Sequence, residues 1–280
     1  MGQHRDNRKN NSKNSVVTGE FVNSNSQGRQ MLNKVPVIIT IYFWIIKIMA
    51  TTVGETAADF INEKFNLGLT ITTLIMSVLL IITLFFQFKA TKYVPSLYWL
   101  TVVLISVVGT LGSDNLVDNL GISLVTTTII FAIAVLISFA IWYASEKTLS
   151  IHSIYTTKRE VFYWVAILFT FALGTSAGDL IAEGLNIGYL NSAIMFAVLI
   201  GLVVIAYYRF KMNAVLAFWI AYILTRPFGA SLGDYLSQSH HAGGLGLGTM
   251  GTSIIFLIII FVLVIYLTKS KIDNPVHADE

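Results

Sequence analysis

The chain has no cysteine, and only 12% of its 280 residues are charged. The first absence excludes disulfides, thiolate metal sites and a thiol nucleophile. The second, set against 55% apolar residues and a mean hydropathy of +0.72, excludes an ordinary water-soluble domain. Long apolar runs instead describe an integral membrane protein with several spans, whose first partner is the lipid bilayer. No nucleotide-binding motif or soluble domain is present, so no cofactor is expected. The pI near 9.0 does not point to nucleic acid, because the basic residues sit in tails and short loops beside the spans.

What the chain does have is an internal repeat. Gly174-Thr-Ser-Ala-Gly-Asp179-Leu-Ile-Ala-Glu183 recurs as Gly54 to Glu63, Gly109 to Asp118 and Gly229 to Gln238. In every copy a Gly precedes an Asp by five positions (Asp59, Asp114, Asp179, Asp234), and a polar residue follows that Asp by four. Ten positions before each Gly stands a Trp preceded by an aromatic: Phe43-Trp44, Tyr98-Trp99, Tyr163-Trp164 and Phe218-Trp219. One frame fits four places without a gap, which is specific evidence of repetition.

Each repeat spans the membrane twice, so the fold expected is all-α, with eight transmembrane helices as four helical hairpins. The spans are expected near 36–59, 69–88, 96–114, 122–144, 161–181, 189–208, 213–236 and 250–268, the first opening on Pro36. The organisation expected is a disordered polar tail over 1–35, a membrane half over 36–147, a linker over 148–160, a second half over 161–268 and a tail over 269–280. No apolar run falls in the first thirty residues, so the first span is expected to direct insertion without a cleaved leader. The aspartates lie 55, 65 and 55 residues apart (114−59, 179−114, 234−179), as if a two-hairpin half were duplicated. Two spans per repeat keep successive repeats parallel, which implies a pseudo-fourfold arrangement about an axis along the membrane normal. Gly54, Gly109, Gly174 and Gly229 then allow close approach of the odd-numbered helices.

Lysine and arginine crowd the N-terminal tail, the even-to-odd loops and the C-terminal tail, whereas the opposite side has Lys64. By the positive-inside rule both termini are cytoplasmic, in the plasma membrane of a cell, here read as a bacterial inner membrane. The acids show the reverse bias. Glu55, Asp59, Glu63, Asp114, Asp118, Asp179, Glu183 and Asp234 gather toward the outer ends of the odd helices. A carboxylate in a bilayer is costly and marks an ion or proton path. Asp59, Asp114, Asp179 and Asp234 are the candidate metal ligands, since hard oxygens suit Mg²⁺, Mn²⁺, Ca²⁺ or alkali ions; they can equally carry protons. The alternative is that the acids cap helix ends or pair with Lys47 and Arg226.

Lys47 is expected to snorkel to the cytoplasmic face. Arg226, beside Pro227, which is expected to break or kink its helix, is expected to neutralise part of the acid cluster, or else to bind an anionic group. Trp44, Trp99, Trp164 and Trp219 read as an interfacial aromatic belt, with packing or gating as the alternative. His240 and His241, in the Gly-rich loop 239–251, read as surface residues rather than metal ligands.

Four tandem two-span hairpins, each with its Trp, resemble a bacterial family described as uncharacterised membrane-anchored proteins built from a repeat of unknown function. The resemblance covers residues 36–268 and implies the fold and repeat number, with no activity. The function expected from the residues is therefore a secondary transporter of a cation, coupled to protons and without enzymatic activity. A membrane scaffold and an intramembrane aspartyl hydrolase are the alternatives, the latter on Gly178-Asp179 and Gly233-Asp234.

Overall fold

A run of some twenty apolar residues in lipid must satisfy its own backbone hydrogen bonds, and a helix does so within one segment. The computed structural model describes residues 34–36, 38–65 and 67–273, and within these it holds eight long helices and no strand. They are α1 (Ile41–Phe65), α2 (Leu69–Lys89), α3 (Pro95–Asp114), α4 (Leu124–Glu146), α5 (Thr157–Asp179), α6 (Tyr189–Phe210), α7 (Ala214–Ser237) and α8 (Thr249–Ser270). Side-chain caps start three of them: Ser123, Thr156 and Asn213 accept backbone N–H bonds from their own first turns. Lys147, Lys211 and Lys271 close α4, α6 and α8 in the left-handed conformation, placing a cation at the negative end of each helix dipole.

Seven of the eight are long and apolar enough to cross a membrane, as a multi-pass membrane protein requires. The exception, α1, has 25 residues but carries Lys47, Glu55, Asp59, Glu63 and Lys64. Large apolar side chains such as Ile81, Leu136, Leu202 and Phe261 are more than half exposed on α2, α4, α6 and α8. A surface that apolar needs lipid rather than water against it.

The helices that bear the repeat are the inner ones. α1 packs on α3, α3 on α5, α5 on α7, and α7 on α1. The outer helices do not pack along their own hairpin partners. α2 lies against α3, α4 against α5, α6 against α7, and α8 returns to α1, where Thr56 and Ser253 share a hydrogen bond of 2.7 Å. Each outer helix therefore covers the inner helix of the next repeat.

The repeated glycines explain how closely the inner helices approach. A methyl at Gly54 would overlap the Ser106 hydroxyl, one at Gly174 the Arg226 stem, and one at Gly229 the Thr51 hydroxyl. At Gly109 it would stand 2.9 Å from Phe171 Cβ and 3.1 Å from the Ala172 nitrogen. Every repeat thus seats one residue of the next. Gly109→Ala is expected to destabilise the bundle by about 1–3 kcal/mol, because backbone blocks the methyl. Gly112→Ala, on the same helix with nothing within 4 Å of the added carbon, is expected to be neutral or to gain up to about 1 kcal/mol of helix propensity. Thermal melts of the two purified variants in one detergent test the contrast; equal melting temperatures would contradict it.

Several boundaries differ from expectation. α1 begins at Ile41 rather than at Pro36 and runs to Phe65, and Pro36 lies outside any helix. Pro227 does not break its helix, since α7 runs unbroken from Ala214 to Ser237. Residues 1–33 of the expected tail, and 274–280, lie outside the described residues. Lys34 and Val35, placed in that tail by composition, are instead buried. The linker is packed as well: Ile151, Ile154 and Glu160 are buried. Lys34 Nζ sits 3.1 Å from a Glu160 carboxylate oxygen and donates to the Phe88 carbonyl at 2.6 Å. Gln87 donates to Glu160 and to the Lys34 carbonyl, each at 3.1 Å. Past α8, the Tyr93 hydroxyl donates to Asp273 at 2.8 Å, and burial pushes the Asp273 carboxyl above its ordinary range. Both described termini are thereby tied to one end of the bundle, called here the terminal end.

Candidate functional site

Within each repeat the residues 3, 7, 11, 15 and 19 positions after the Trp are spaced four apart, so each stands about one turn beyond the last, with a drift of about 40° per step around the inner helix. Five levels result, counted from the terminal end. The first holds Lys47, Val102, Ile167 and Tyr222. The second holds Thr51, Ser106, Phe171 and Arg226, and the third Glu55, Thr110, Thr175 and Ala230. The four aspartates form the fourth level, and Glu63, Asp118, Glu183 and Gln238 the fifth.

Because the glycines lock the inner helices in one register, the fourth level converges. Asp59, Asp114, Asp179 and Asp234 line one cavity of about 190 Å³, with Glu55 at its base and Asn62, Asp118, Glu183 and Gln238 around it. Asp234 and Glu55 are buried, the other three aspartates half-buried, and Asp118 and Glu183 exposed. After Asp114 and Asp179 the chain widens into single π turns, Asn115–Asn119 and Leu180–Gly184. A π turn carries the following acid off the four-residue face, which sets Asp118 and Glu183 at the rim; Glu183 accepts a 2.8 Å bond from the Tyr189 hydroxyl. The Glu63 side chain lies outside the described ones.

The expected metal ligands divide. Asp179 and Asp234 each bring an oxygen within 4.8 Å of the others and of one from Glu55, and all three can hold one ion. Asp59 and Asp114 line the same cavity outside that trio. Oxygens on opposite sides of a single Mg²⁺ or Ca²⁺, bound at about 2.1–2.5 Å, are about 4–5 Å apart. The three oxygens lie within that limit and are hard donors, the type that suits a divalent cation.

Directly beneath lies Arg226, with no exposed surface. Its Nη2 stands 3.0 Å from Glu55 Oε2, donates to the Thr175 hydroxyl at 2.7 Å, and donates to the Thr110 hydroxyl as well. Neutralisation of part of the acid cluster is thus the role that this geometry supports. Lys47 does not snorkel. It has no exposed surface, and its ammonium sits 4.2 Å from the Phe171 ring centre and 4.1 Å from that of Tyr222. Those two rings are parallel within 4°, so the cation lies against two π faces. Phe171 of α5 and Tyr222 of α7 cover the ammonium, which a count of residues from the helix start does not register.

The tryptophans are not a belt at the lipid surface. Trp99, Trp164 and Trp219 are 1, 3 and 4% exposed, and Trp44 is half-buried. Each packs with the aromatic of the preceding repeat: Phe43 with Trp99 at 5.4 Å between ring centres, Tyr98 with Trp164 at 5.5 Å, Tyr163 with Trp219 at 6.2 Å, and Phe218 with Trp44 at 5.7 Å. The Tyr98 and Tyr163 hydroxyls meet at 2.6 Å. Between the acid cavity and the terminal end, the bundle is filled by two buried cations and then by this aromatic layer.

Hydropathy gave no sign of Lys34, Gln87 or Glu160, which are remote in sequence and outside the repeat motif. Asn62 and Gln238 in the cavity wall were equally missed as site residues, although Gln238 stands in an acid's place. His240 and His241 are exposed in a loop, and His240 Nδ1 lies 3.1 Å from the Gly244 carbonyl. Neither belongs to the carboxylate trio.

A family model described as "Repeat of Unknown Function (DUF347)" matches the chain four times, over residues 42–93, 97–148, 162–213 and 217–273. The matches start 55, 65 and 55 residues apart (97−42, 162−97, 217−162), the same intervals as the aspartates. No curated protein and no solved structure matches the chain.

Proposed function

The chain belongs to the family defined by the Repeat of Unknown Function (DUF347), and from that premise we propose that it is a secondary transporter of a cation, with a divalent metal ion as the ligand of the acid cavity. The observation that carries this reading is the convergence of four repeat-equivalent aspartates, with Glu55, on one cavity. On this reading the four repeats stand parallel about a pseudo-fourfold axis along the membrane normal. Both termini face the cytoplasm, where the Lys- and Arg-rich loops lie, and the acid cavity faces outward.

A carrier is favoured over an open pore for an electrostatic reason. A cation entering past the aspartates meets Arg226 and then Lys47, and fixed positive charge on the path of a pore excludes cations. Passage requires that the inner helices and the aromatic layer rearrange, as alternating access does. Protons are the natural coupling ion, since carboxylates vacated by a metal can bind them.

Flux in proteoliposomes tests the proposal, with Mn²⁺, Mg²⁺, Ca²⁺, Na⁺ and K⁺ offered singly and a pH-sensitive dye inside. The wild type is expected to carry one of the divalent ions with a matched proton signal. The variant with Asn at all four repeated aspartates is expected to lose that flux while remaining folded in the membrane. Equal flux in the two proteins would refute the carboxylate mechanism.

A further inference from the structure

We infer that Arg226 is a tethered cation holding the place of the transported one, so that ion binding and release of the Arg226–Glu55 pair are a single exchange; this rests on the transport reading above. Glu55 and Arg226 are two of the three charged residues, Lys47 being the third, that no other repeat carries at the same level. At the level of Arg226 the other three carry Thr51, Ser106 and Phe171, and at the level of Glu55 they carry Thr110, Thr175 and Ala230. Glu55 and Arg226 are each other's partners, at 3.0 Å. The same guanidinium nitrogen reaches the Thr110 and Thr175 hydroxyls, so it touches the third level of three different repeats. It occupies the line between the acid cavity and the terminal end.

Glu55 has two claims on its charge. It is paired with Arg226, and it is also one of the three carboxylates that converge with Asp179 and Asp234. An ion held by the trio draws on the negative charge that now compensates the guanidinium. Arg226 is then left with two hydroxyls and the Thr51 carbonyl, 3.4 Å from Nη1, in a place without exposed surface. An uncompensated buried cation is strongly unfavourable, so the filled and empty sites favour different positions of Arg226. With the site empty, the ion pair leaves this level neutral, and the carrier can return unloaded. With the site full, the displaced guanidinium destabilises the closed terminal half, and the bound ion biases the equilibrium between conformations by that difference.

The test uses the full-length protein with Mg²⁺, Ca²⁺ and Mn²⁺ in turn. Binding is measured by calorimetry in detergent. Net flux into ion-free liposomes is measured beside exchange of labelled for unlabelled ion at equal concentrations on both sides. Arg226→Gln is expected to bind the ion about tenfold more tightly, a change of 1.4 kcal/mol. It is expected to retain exchange and lose net flux, because only the unloaded return needs the arginine. The pair Thr110→Val with Thr175→Val keeps every charge while loosening the guanidinium, and is expected to tighten binding by a smaller factor. It decides the matter alone if Arg226→Gln does not fold. Unchanged or weaker binding in the folded variants, or net flux and exchange falling together, would overturn the inference while leaving transport standing. A wild type that neither binds nor exchanges any of the three ions would instead remove the transport reading, and this one with it.

Discussion

Asp179→Asn and Asp234→Asn are each expected to weaken cation binding about a hundredfold, near 2.7 kcal/mol, against about tenfold for Asp59→Asn or Asp114→Asn. All four aspartates share one cavity, yet only Asp179 and Asp234 come within 4.8 Å of each other and of Glu55. Asparagine keeps an oxygen in place but removes a unit charge. For an oxygen in direct contact with the ion, that loss is a large fraction of the roughly 4 kcal/mol between unit charges 4 Å apart at a dielectric of about 20. Asp59 and Asp114 line the cavity outside the trio, so the charge removed there would lie farther from an ion held by it and cost less. Calorimetric titration of the wild type and the four single variants with Mg²⁺, Ca²⁺ and Mn²⁺ in turn provides the check. Equal losses at all four positions would mean a symmetric ring of ligands rather than a trio on one side.

Glu160→Leu is expected to cost about 3–5 kcal/mol of stability, the range for stranding one member of a buried ion pair. Lys34 and Glu160 have side chains only 10 and 2% exposed and stand 3.1 Å apart. Gln87 bonds both the Glu160 carboxylate and the Lys34 backbone, and the Lys34 ammonium also caps the Phe88 carbonyl. Without Glu160 that ammonium keeps the one carbonyl and little else. The double variant Lys34→Met with Glu160→Leu removes both charges and is expected to recover most of the loss, as apolar replacement of buried pairs commonly does. Unfolding of the four proteins in a thermodynamic cycle measures the coupling. A Glu160→Leu variant as stable as wild type would show that the pair binds the N-terminal segment without holding the bundle.

How much of this was legible in the chain follows from what each signal measures. The Gly-x4-Asp frame reports position along a helix, so the convergence of the four aspartates and the close approach at the four glycines were both readable from spacing. Composition reports how apolar a run is, and it located the helices to within a few residues. It overlooked α1's start at Ile41, because Pro36 imitates a helix opening while Lys34 is held by residues more than fifty positions away. Lys47 and the tryptophans were misplaced for one shared reason. Hydropathy and interface rules assign a side chain to a depth in the membrane, and they are silent on whether a neighbouring helix covers it. The pairing of Glu55 with Arg226 was closer to hand. Aligning the repeats level by level leaves Lys47, Arg226 and Glu55 as the charged exceptions; Glu55 is the acidic one among them, and Arg226 stands at the level next to it. The Lys34, Gln87 and Glu160 network left no trace, since its members are far apart in sequence and none belongs to the repeated Trp-Gly-Asp frame.

The helices that cover each inner helix come from the repeat before it, α2 on α3, α4 on α5 and α6 on α7, with α8 closing onto α1. No quarter of the chain is therefore a self-sufficient folding unit. As the ribosome delivers the protein, each hairpin enters with its outer helix lacking a neighbour until the next inner helix emerges, and α1 waits longest, for the last segment of all. A two-repeat fragment has one bare inner helix and one outer helix with nothing to cover. Two copies of such a fragment can supply each other's missing piece by exchange of those helices, so splitting the chain between residues 147 and 156 leaves ends that only the opposite half can satisfy.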